Sequence, residues 1–280
     1  MPELPEVETI RRQLAPRVAG RVLERVRVHD ERWCMPLAPL EMEIALAGRR
    51  VESLGRRGKY LVWELSGERF LLQHLRMTGN LLYDPAVRPV HTRVTIDLDD
   101  HHELLYVDAR RFGTGQLAEG RDGLDDFLDA RLGLEPFDPD FGAEHLCALA
   151  RGSRAPVKAF LLDQKRVAGV GNIYADEVLF RARVHPLRPA GRLTRAQWDA
   201  IAPAIVETLQ AGIVANGASI DDFRDVDGAR GSFQDEFLIH LHEGEPCPHC
   251  GAPVRKIVAA GRGTYVCERC QPRPRTRRRA

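Results

Sequence analysis

Residues 59–75 read KYLVWELSGERFLLQHL: two seven-residue stretches, each with a majority of apolar and aromatic side chains, separated by Ser66, Gly67 and Glu68. Runs of this length, rich in Leu, Val, Trp, Tyr and Phe and joined by a Gly-containing turn, specify antiparallel strands rather than a helix. The pattern continues outward in RVLERVRV (21–28), RVTIDL (93–98) and ELLYVD (103–108), with LDDHH (98–102) as a second polar turn. From Arg21 to about Leu117 the chain therefore reads as a mostly antiparallel, two-layer sandwich. Upstream, Val7, Ile10 and Leu14 recur at spacings of three and four, which marks an amphipathic helix opened by Pro5 and acidic first-turn residues. Pro2 and Glu3 fall just outside its N-terminus.

Downstream, LGLEPFDPDFG (132–142) carries two prolines and reads as a domain boundary. The period then becomes helical, with helices expected near 144–150, 155–163, 172–182 and 195–216. The last is marked by a Thr194/Gln197 capping box and a Trp198, Ile201, Ile205, Leu209, Ile213 stripe. Gly169 and Gly171 permit tight turns into the helix that begins at Asn172. The expected organisation is a sandwich over 1–135, a linker over 136–150, a helical domain over 151–235, a metal-binding segment over 240–271 and a disordered basic tail over 272–280.

A chain of 280 residues suits about two domains at roughly 150 residues each. Hydrophobic residues at 44% and charged residues at 29% are ordinary globular values, and no apolar run approaches the roughly 20 residues that span a bilayer. Membrane proteins, collagen and wholesale disorder are excluded. The first eight residues hold three Glu and no apolar core, so neither a secretory signal nor a transit peptide is present and the protein reads as cytoplasmic. The net charge of +1 conceals segregation: residues 119–144 hold nine acidic and two basic side chains, residues 240–280 nine basic and three acidic. A basic face that attracts a polyanion fits this asymmetry, and so does ordinary solvated charge.

Cys247-Pro-His-Cys250 and Cys267-Glu-Arg-Cys270 form two C-x2-C knuckles sixteen residues apart. Four thiolates select one tetrahedral zinc and close the site, so the metal is structural; two disulfides are disfavoured in a cytosolic setting. Cys34 and Cys147 lack partners at ligand spacing and read as buried thiols. Residues 251–264 between the knuckles suit a two-stranded ribbon with Arg262, flanked by glycines, at its tip. Such an Arg either forks onto a phosphate or is a surface residue without a role. At the other end, removal of Met1 would make Pro2 a secondary amine that forms an iminium with an aldehyde-like carbon, with Glu3 beside it as acid or base. The same PELPE sequence is also an ordinary extended lead-in to a helix.

The succession MPELPEVETIRR, GRRGKYL, HLRMTG, DARRFG, LLDQKRVAGVGNIYADEVLF and PCPHCG through GRGTYVCERCQ resembles the formamidopyrimidine-DNA glycosylase and endonuclease VIII family over essentially the whole chain. The first motif is similar to the formamidopyrimidine-DNA glycosylase branch. The resemblance implies an N-terminal β-sandwich with an N-terminal helix, a helix-two-turns-helix domain and a β-hairpin zinc finger. It also implies a monomer acting on damaged double-stranded DNA as a glycosylase and abasic-site lyase on oxidised purines. Pro2 would be the nucleophile and Glu3 the proton donor, Lys59 would assist β-elimination and Arg262 δ-elimination. Met77, Arg110 and Phe112 match the residues that fill the void left by an extruded nucleotide, although by type Met77 and Phe112 would more often be core. Phosphate contacts fall to His91, Arg111, Arg154, Lys158 and Asn172.

Three departures stand out. Ala109 replaces a common Pro and is expected to loosen the turn presenting Arg110. Arg154 replaces a Lys, and His240-Leu241-His242 replaces a Tyr-Gly-basic sequence, which puts a DNA contact there in doubt. The loop 217–234 is expected to cover the extruded base. An oxidised-pyrimidine preference of the endonuclease VIII type and a non-catalytic zinc-ribbon DNA binder are the alternatives.

Overall fold

A computed structural model describes residues 1–220 and 222–274; the expected basic tail lies, from residue 275, outside the described residues. The chain opens with α1 (Leu4–Val18), whose N-cap is Glu3. The elements β1 (Leu23–Val28), α2 (Glu31–Cys34) and α3 (Pro39–Leu46) lead into β2 (Val51–Arg57), β3 (Tyr60–Leu65) and β4 (Arg69–His74). Then come β5 (Gly79–Tyr83), β6 (Thr92–Leu98), β7 (Glu103–Asp108), β8 (Thr114–Glu119) and α4 (Gly120–Asp129). All strand pairs are antiparallel, in two four-stranded sheets ordered β1-β6-β7-β5 and β2-β3-β4-β8, which is the sandwich expected from the alternating runs.

The helical part comprises α5 (Ala143–Ala150), α6 (Val157–Leu162), α7 (Asn172–Arg181) and α8 (Arg195–Val214). The hairpin β9 (Arg255–Ala259) and β10 (Arg262–Val266) follows. The capping box at α8 is formed as its sequence specifies: the Thr194 amide donates to the Gln197 side chain (3.0 Å), and the Gln197 amide donates to the Thr194 hydroxyl (3.3 Å). All five residues of the expected stripe are buried. Among the described residues no helix is long and apolar enough to cross a membrane.

The chain divides into two compact units, residues 1–130 with 212–234, and residues 131–211 with the chain from 235 on. The boundaries drawn by contacts differ from the sequence boundaries at two places. The stretch 136–150 is not a mere linker, because α5 occupies its second half. Residues 212–234, expected with the helices, belong to the sandwich unit, where several hydrogen bonds fasten them. The Ala218 amide donates to Glu6, Gln13 donates to Asp225, and the Tyr83 amide donates to the Val226 carbonyl. Asn80 donates to the Asp222 carbonyl and accepts from the Arg224 amide. Phe223 and Val226 join Val7, Ile10, Leu14, Trp63, Leu71 and Tyr106 in one apolar cluster. Each such side chain contributes roughly 1.5–3 kcal/mol by its burial.

A charged contact fixes α1 against the second sheet. Glu8 is buried and accepts from Arg11 (2.7 and 3.0 Å), Arg12 (2.8 Å) and Arg56 (3.0 Å). Burial alone pushes its carboxyl up, but the three guanidiniums outweigh that and bring it from 4.5 to about 2. A carboxylate depressed in the folded state adds stability above its unfolded value and loses it as the pH falls through the folded one. Glu8→Gln should therefore lower the urea midpoint at pH 7, and the deficit should shrink as the pH falls from 4.5 towards 2. A deficit constant across that range would show that the Glu8 charge does not stabilise the fold.

Candidate active site and metal centre

The sandwich unit carries the head of α1. Pro2 and Glu3 are both buried, and the Glu6 carboxylate takes the Glu3 amide on one oxygen (2.7 Å) and the Ala218 amide on the other (2.8 Å). Gly217 stands beside it with φ +80°, and a Cβ there would lie 2.8 Å from Glu6 Cγ. Glu6 was read as a helix-dipole residue only. A Glu three residues after the N-cap is half of a capping box and was the available signal.

Lys59 sits in the two-residue turn Gly58-Lys59 that closes the β2–β3 pair at Arg57 and Tyr60; Gly58 has φ +57° and the Lys59 side chain is nearly buried. Beside it His74 packs edge-on against Tyr60, ring centroids 4.7 Å apart. The Arg76 amide donates to His74 Nδ1 (2.9 Å), which leaves the ring proton on Nε2. Burial, with the charges of Arg76 and Lys59, pushes the His74 pKa well below 6.5. The result is a neutral N–H donor next to an ammonium, well suited to an anion. Sequence reasoning missed it, because a His inside an apolar strand reads as core.

Met77, Arg110 and Phe112 project from two loops of the same unit. Met77 is 42% and Phe112 50% exposed, so neither is core, and the Arg110 guanidinium lies 4.9 Å over the Phe112 ring. One buried carboxylate organises both loops. Asp108 accepts from the Thr78 hydroxyl, the Tyr106 hydroxyl (3.1 Å) and the amides of Arg110 (3.2 Å), Phe112 (3.0 Å) and Gly113 (2.8 Å). His91 is exposed at the turn before β6. Arg111 is different: it makes a bidentate pair with buried Asp30 (2.6 and 2.7 Å), so its guanidinium braces the loop.

In the other unit the four sulfurs of Cys247, Cys250, Cys267 and Cys270 lie within 4.8 Å of one another. A tetrahedron with Zn–S bonds of about 2.3 Å has edges of about 3.8 Å, so four thiolates at this spacing fit one zinc. Two of the pairs are at 3.5 and 3.8 Å. Cys34 is buried as expected, whereas Cys147 is only partly so. The ribbon is the β9–β10 hairpin, turned by Ala260 (φ +53°) and Gly261 (φ +69°), with Arg262 exposed at the start of β10.

Asn172, the first residue of α7, donates to the Gly263 carbonyl (3.2 Å), and Arg154 is exposed before α6. Lys158 requires a correction. Expected to grip a phosphate, it is 0% exposed, and its ammonium donates to Asp176 and to the Thr264 hydroxyl, both at 2.7 Å. A buried ammonium needs a buried counter-charge, and α7 supplies one. The second Asp176 oxygen meets His240 Nδ1 (2.9 Å), and Glu177 takes the amides of Leu238, Ile239 and His240. His240 thus holds the approach to the knuckle from within, and the exposed residue is Leu241.

The chain matches three family models: the formamidopyrimidine-DNA glycosylase N-terminal domain over residues 1–115, the formamidopyrimidine-DNA glycosylase H2TH domain over 132–224, and a zinc finger found in FPG and IleRS over 244–273. It is 44% identical over 277 residues to a formamidopyrimidine-DNA glycosylase of Symbiobacterium thermophilum, covering 98% of this chain and 90% of that one. A relative of the same name from Chloroflexus aurantiacus is 43% identical, with 97% and 98% covered. Among solved structures, Lactococcus lactis Fpg in complex with DNA containing Fapy-dG superposes with a TM-score of 0.89 at 36% identity, covering 97% of this chain and all of that one. The same protein has been solved with DNA containing an abasic site and with DNA containing an oxidised pyrimidine.

Two outcomes test this geometry. Asp108→Asn places an amide donor among five donors and should cost about 1–3 kcal/mol, with residues 109–113 becoming a preferred protease site. An unchanged unfolding midpoint and cleavage pattern would remove Asp108 as the organiser. For the metal centre, one zinc per chain is expected, and chelation or Cys250→Ser should open amide exchange across 244–273 while the sandwich strands stay protected. Uniform loss of protection would show that the metal supports the entire chain.

Proposed function

The chain belongs to the formamidopyrimidine-DNA glycosylase family, and on that premise we propose that it excises oxidised purines, 8-oxoguanine and formamidopyrimidines, from duplex DNA and then cuts the strand. Once Met1 is removed, the Pro2 nitrogen attacks C1′ of the extruded nucleotide, the glycosidic bond breaks, and the departing base takes a proton from Glu3. The ammonium adduct at C1′ loses its proton, and the nitrogen lone pair then expels the ring oxygen, which takes up a proton as the C1′–O4′ bond breaks; the cationic iminium so formed acidifies C2′. Loss of the C2′ proton expels the 3′ phosphate, and a second elimination expels the 5′ phosphate, leaving a one-nucleotide gap flanked by phosphates.

The observation that carries this reading is the head of α1. Glu3 is buried beside Pro2, its amide is pinned by Glu6, and the same helix anchors the strand pair whose turn holds Lys59. The Glu6–Glu3 contact alone is an ordinary capping box; the burial of Pro2 and Glu3 and the tie to the Lys59 turn go beyond a plain lead-in to a helix. Lys59 and neutral His74 are assigned to the 3′ phosphate, and Arg262 to the 5′ phosphate. Met77, Arg110 and Phe112 are assigned to the vacated stack, where exposed side chains of these types gain partners on binding. His91, Arg154 and Asn172 remain candidates for phosphate contact, Arg111 only alongside its pairing with Asp30. Zinc, held by the four cysteines, shapes the hairpin and takes no part in bond making.

Borohydride should trap the protein on an 8-oxoguanine duplex through its N-terminal peptide, identified by mass spectrometry. Protein retaining Met1 should bind DNA yet trap nothing, and Glu3→Gln should keep its affinity while excision falls by roughly 10²-fold or more. Trapping through an internal Lys would overturn Pro2, and excision by Glu3→Gln near the wild-type rate would return Glu3 to helix entry. Binding without any trapping would favour a non-catalytic DNA binder. An oxidised-pyrimidine duplex belongs in the same assay, since the Lactococcus lactis relative was solved on one.

A further inference from the structure

The Arg56 side chain is only 8% exposed, although it lies in β2 with no role in the chemistry above. Its Nε donates to Glu8 on α1 (3.0 Å), and its Nη1 donates to the carbonyl of Gly58 (3.0 Å). That carbonyl belongs to the peptide joining Gly58 to Lys59, so its direction sets the plane from which the Lys59 side chain departs. Arg11 and Arg12 share the Glu8 carboxylate but are far more exposed, with side chains 30% and 54% accessible. We infer that Arg56, backed by Glu8, is a positioning residue for Lys59: a fork that ties the turn bearing the lysine to the helix bearing Pro2 and Glu3. The inference rests on the reading of Lys59 as the cation of strand cleavage.

The register of the β2–β3 pair does not need this fork. Six residue pairs from Val51↔Leu65 to Arg57↔Tyr60 define it, with Leu54, Leu61 and Trp63 buried along the strands. Gly58 adopts φ +57° and has no Cβ, so losing the Arg56 donor at its carbonyl removes one restraint on the tilt of that peptide while the strands stay paired. A tilt at the root of a long side chain is amplified at its end, and a misplacement of about 1 Å can cost up to about 10²-fold in rate. Charge at position 56 is not sufficient. A Lys there keeps an ammonium near Glu8, but it lacks the planar fork that reaches a carboxylate and a carbonyl together.

The test is a cycle on the full-length, zinc-loaded protein with Met1 removed, using single-turnover strand cleavage at a preformed abasic site. Arg56→Lys should slow cleavage by about 10- to 100-fold at saturating DNA, with the DNA affinity and the borohydride-trapped Pro2 adduct retained. In a Lys59→Ala background the same change should add less than about twofold, because the group it positions is gone. Equal effects in both backgrounds, or cleavage by Arg56→Lys at the wild-type rate, would overturn the inference and leave Lys59 standing. A silent Lys59→Ala would overturn both, which separates the two failures. If Arg56→Lys does not fold, Glu8→Gln with Arg56→Met removes the buried ion pair as a unit, and the same cycle is read on that pair.

Discussion

The carboxylate of Glu6 is shared by the amides of Glu3 and Ala218, which are more than two hundred residues apart in the chain. That sharing is possible only if the head of α1 and the backbone at 217–218 arrive at one point. Gly217 makes the approach feasible, since a side chain there would overlap Glu6, and Gly231 in turn backs onto the Gly217 carbonyl, 2.2 Å from where its own Cβ would be. The consequences run in both directions. The N-terminal residues are held in a fixed, buried arrangement, and the segment 212–234 is drawn into the sandwich unit although α8 leads into it. The segment is fastened at several points along its length, by Glu6 at Ala218, by Asn80 at Asp222 and Arg224, and by Gln13 at Asp225.

The same device recurs at other loops of the chain. Asp108 gathers the amides of Arg110, Phe112 and Gly113 and two hydroxyls, and the loop so tied displays Arg110 and Phe112. In the second unit Glu177 collects the amides of 238–240, while Asp176 holds Lys158 and His240. A buried carboxylate that satisfies backbone donors is expensive to misplace, because each donor it abandons keeps its desolvation cost. Rigid loops therefore follow from residues that touch no ligand. Lys158 belongs to this class: its charge offsets Asp176, and through Thr264 it steadies the strand that begins at Arg262.

The sandwich, α1, the four later helices and the hairpin were legible because each rests on local periodicity or on fixed cysteine spacing. The short helices α2, α3 and α4 were not, since α2 has only four residues, and α3 and α4 are short segments with Pro, or with Gly and dense Asp, that give no clear period. The four cysteines were legible from their spacing, and Lys59 and Arg262 stand out as candidates by residue type and company. The carboxylates that support the loops were hidden for a physical reason: Glu6, Asp108 and Glu177 act on backbone amides, and an amide has no letter in a sequence. His74 was hidden by its neighbours, because only the burial of Lys59 and Arg56 around the β2–β3 turn reveals that this strand end faces a charged site. The sequence groups residues 212–234 with the helices because proximity along α8 is a local cue, whereas the contacts that recruit them reach back to Glu6 and Gln13.

The Ala109 substitution can be settled by magnitude. Proline at this position would restrict the unfolded chain and stabilise the turn by about 0.4–1 kcal/mol. Hydrogen bonds to a charged acceptor are worth about 1.5–3 kcal/mol each, and Asp108 receives the amides on the far side of position 109 from Arg110, Phe112 and Gly113. Gly113 adds a steric lock, since a Cβ there would fall 1.6 Å from the Tyr106 hydroxyl, and the Arg111–Asp30 pair fixes the loop's middle. Against these the missing proline is a minor term. The turn is therefore not loosened by Ala109, and the disposition of Arg110 and Phe112 is governed by Asp108 rather than by the residue that follows it.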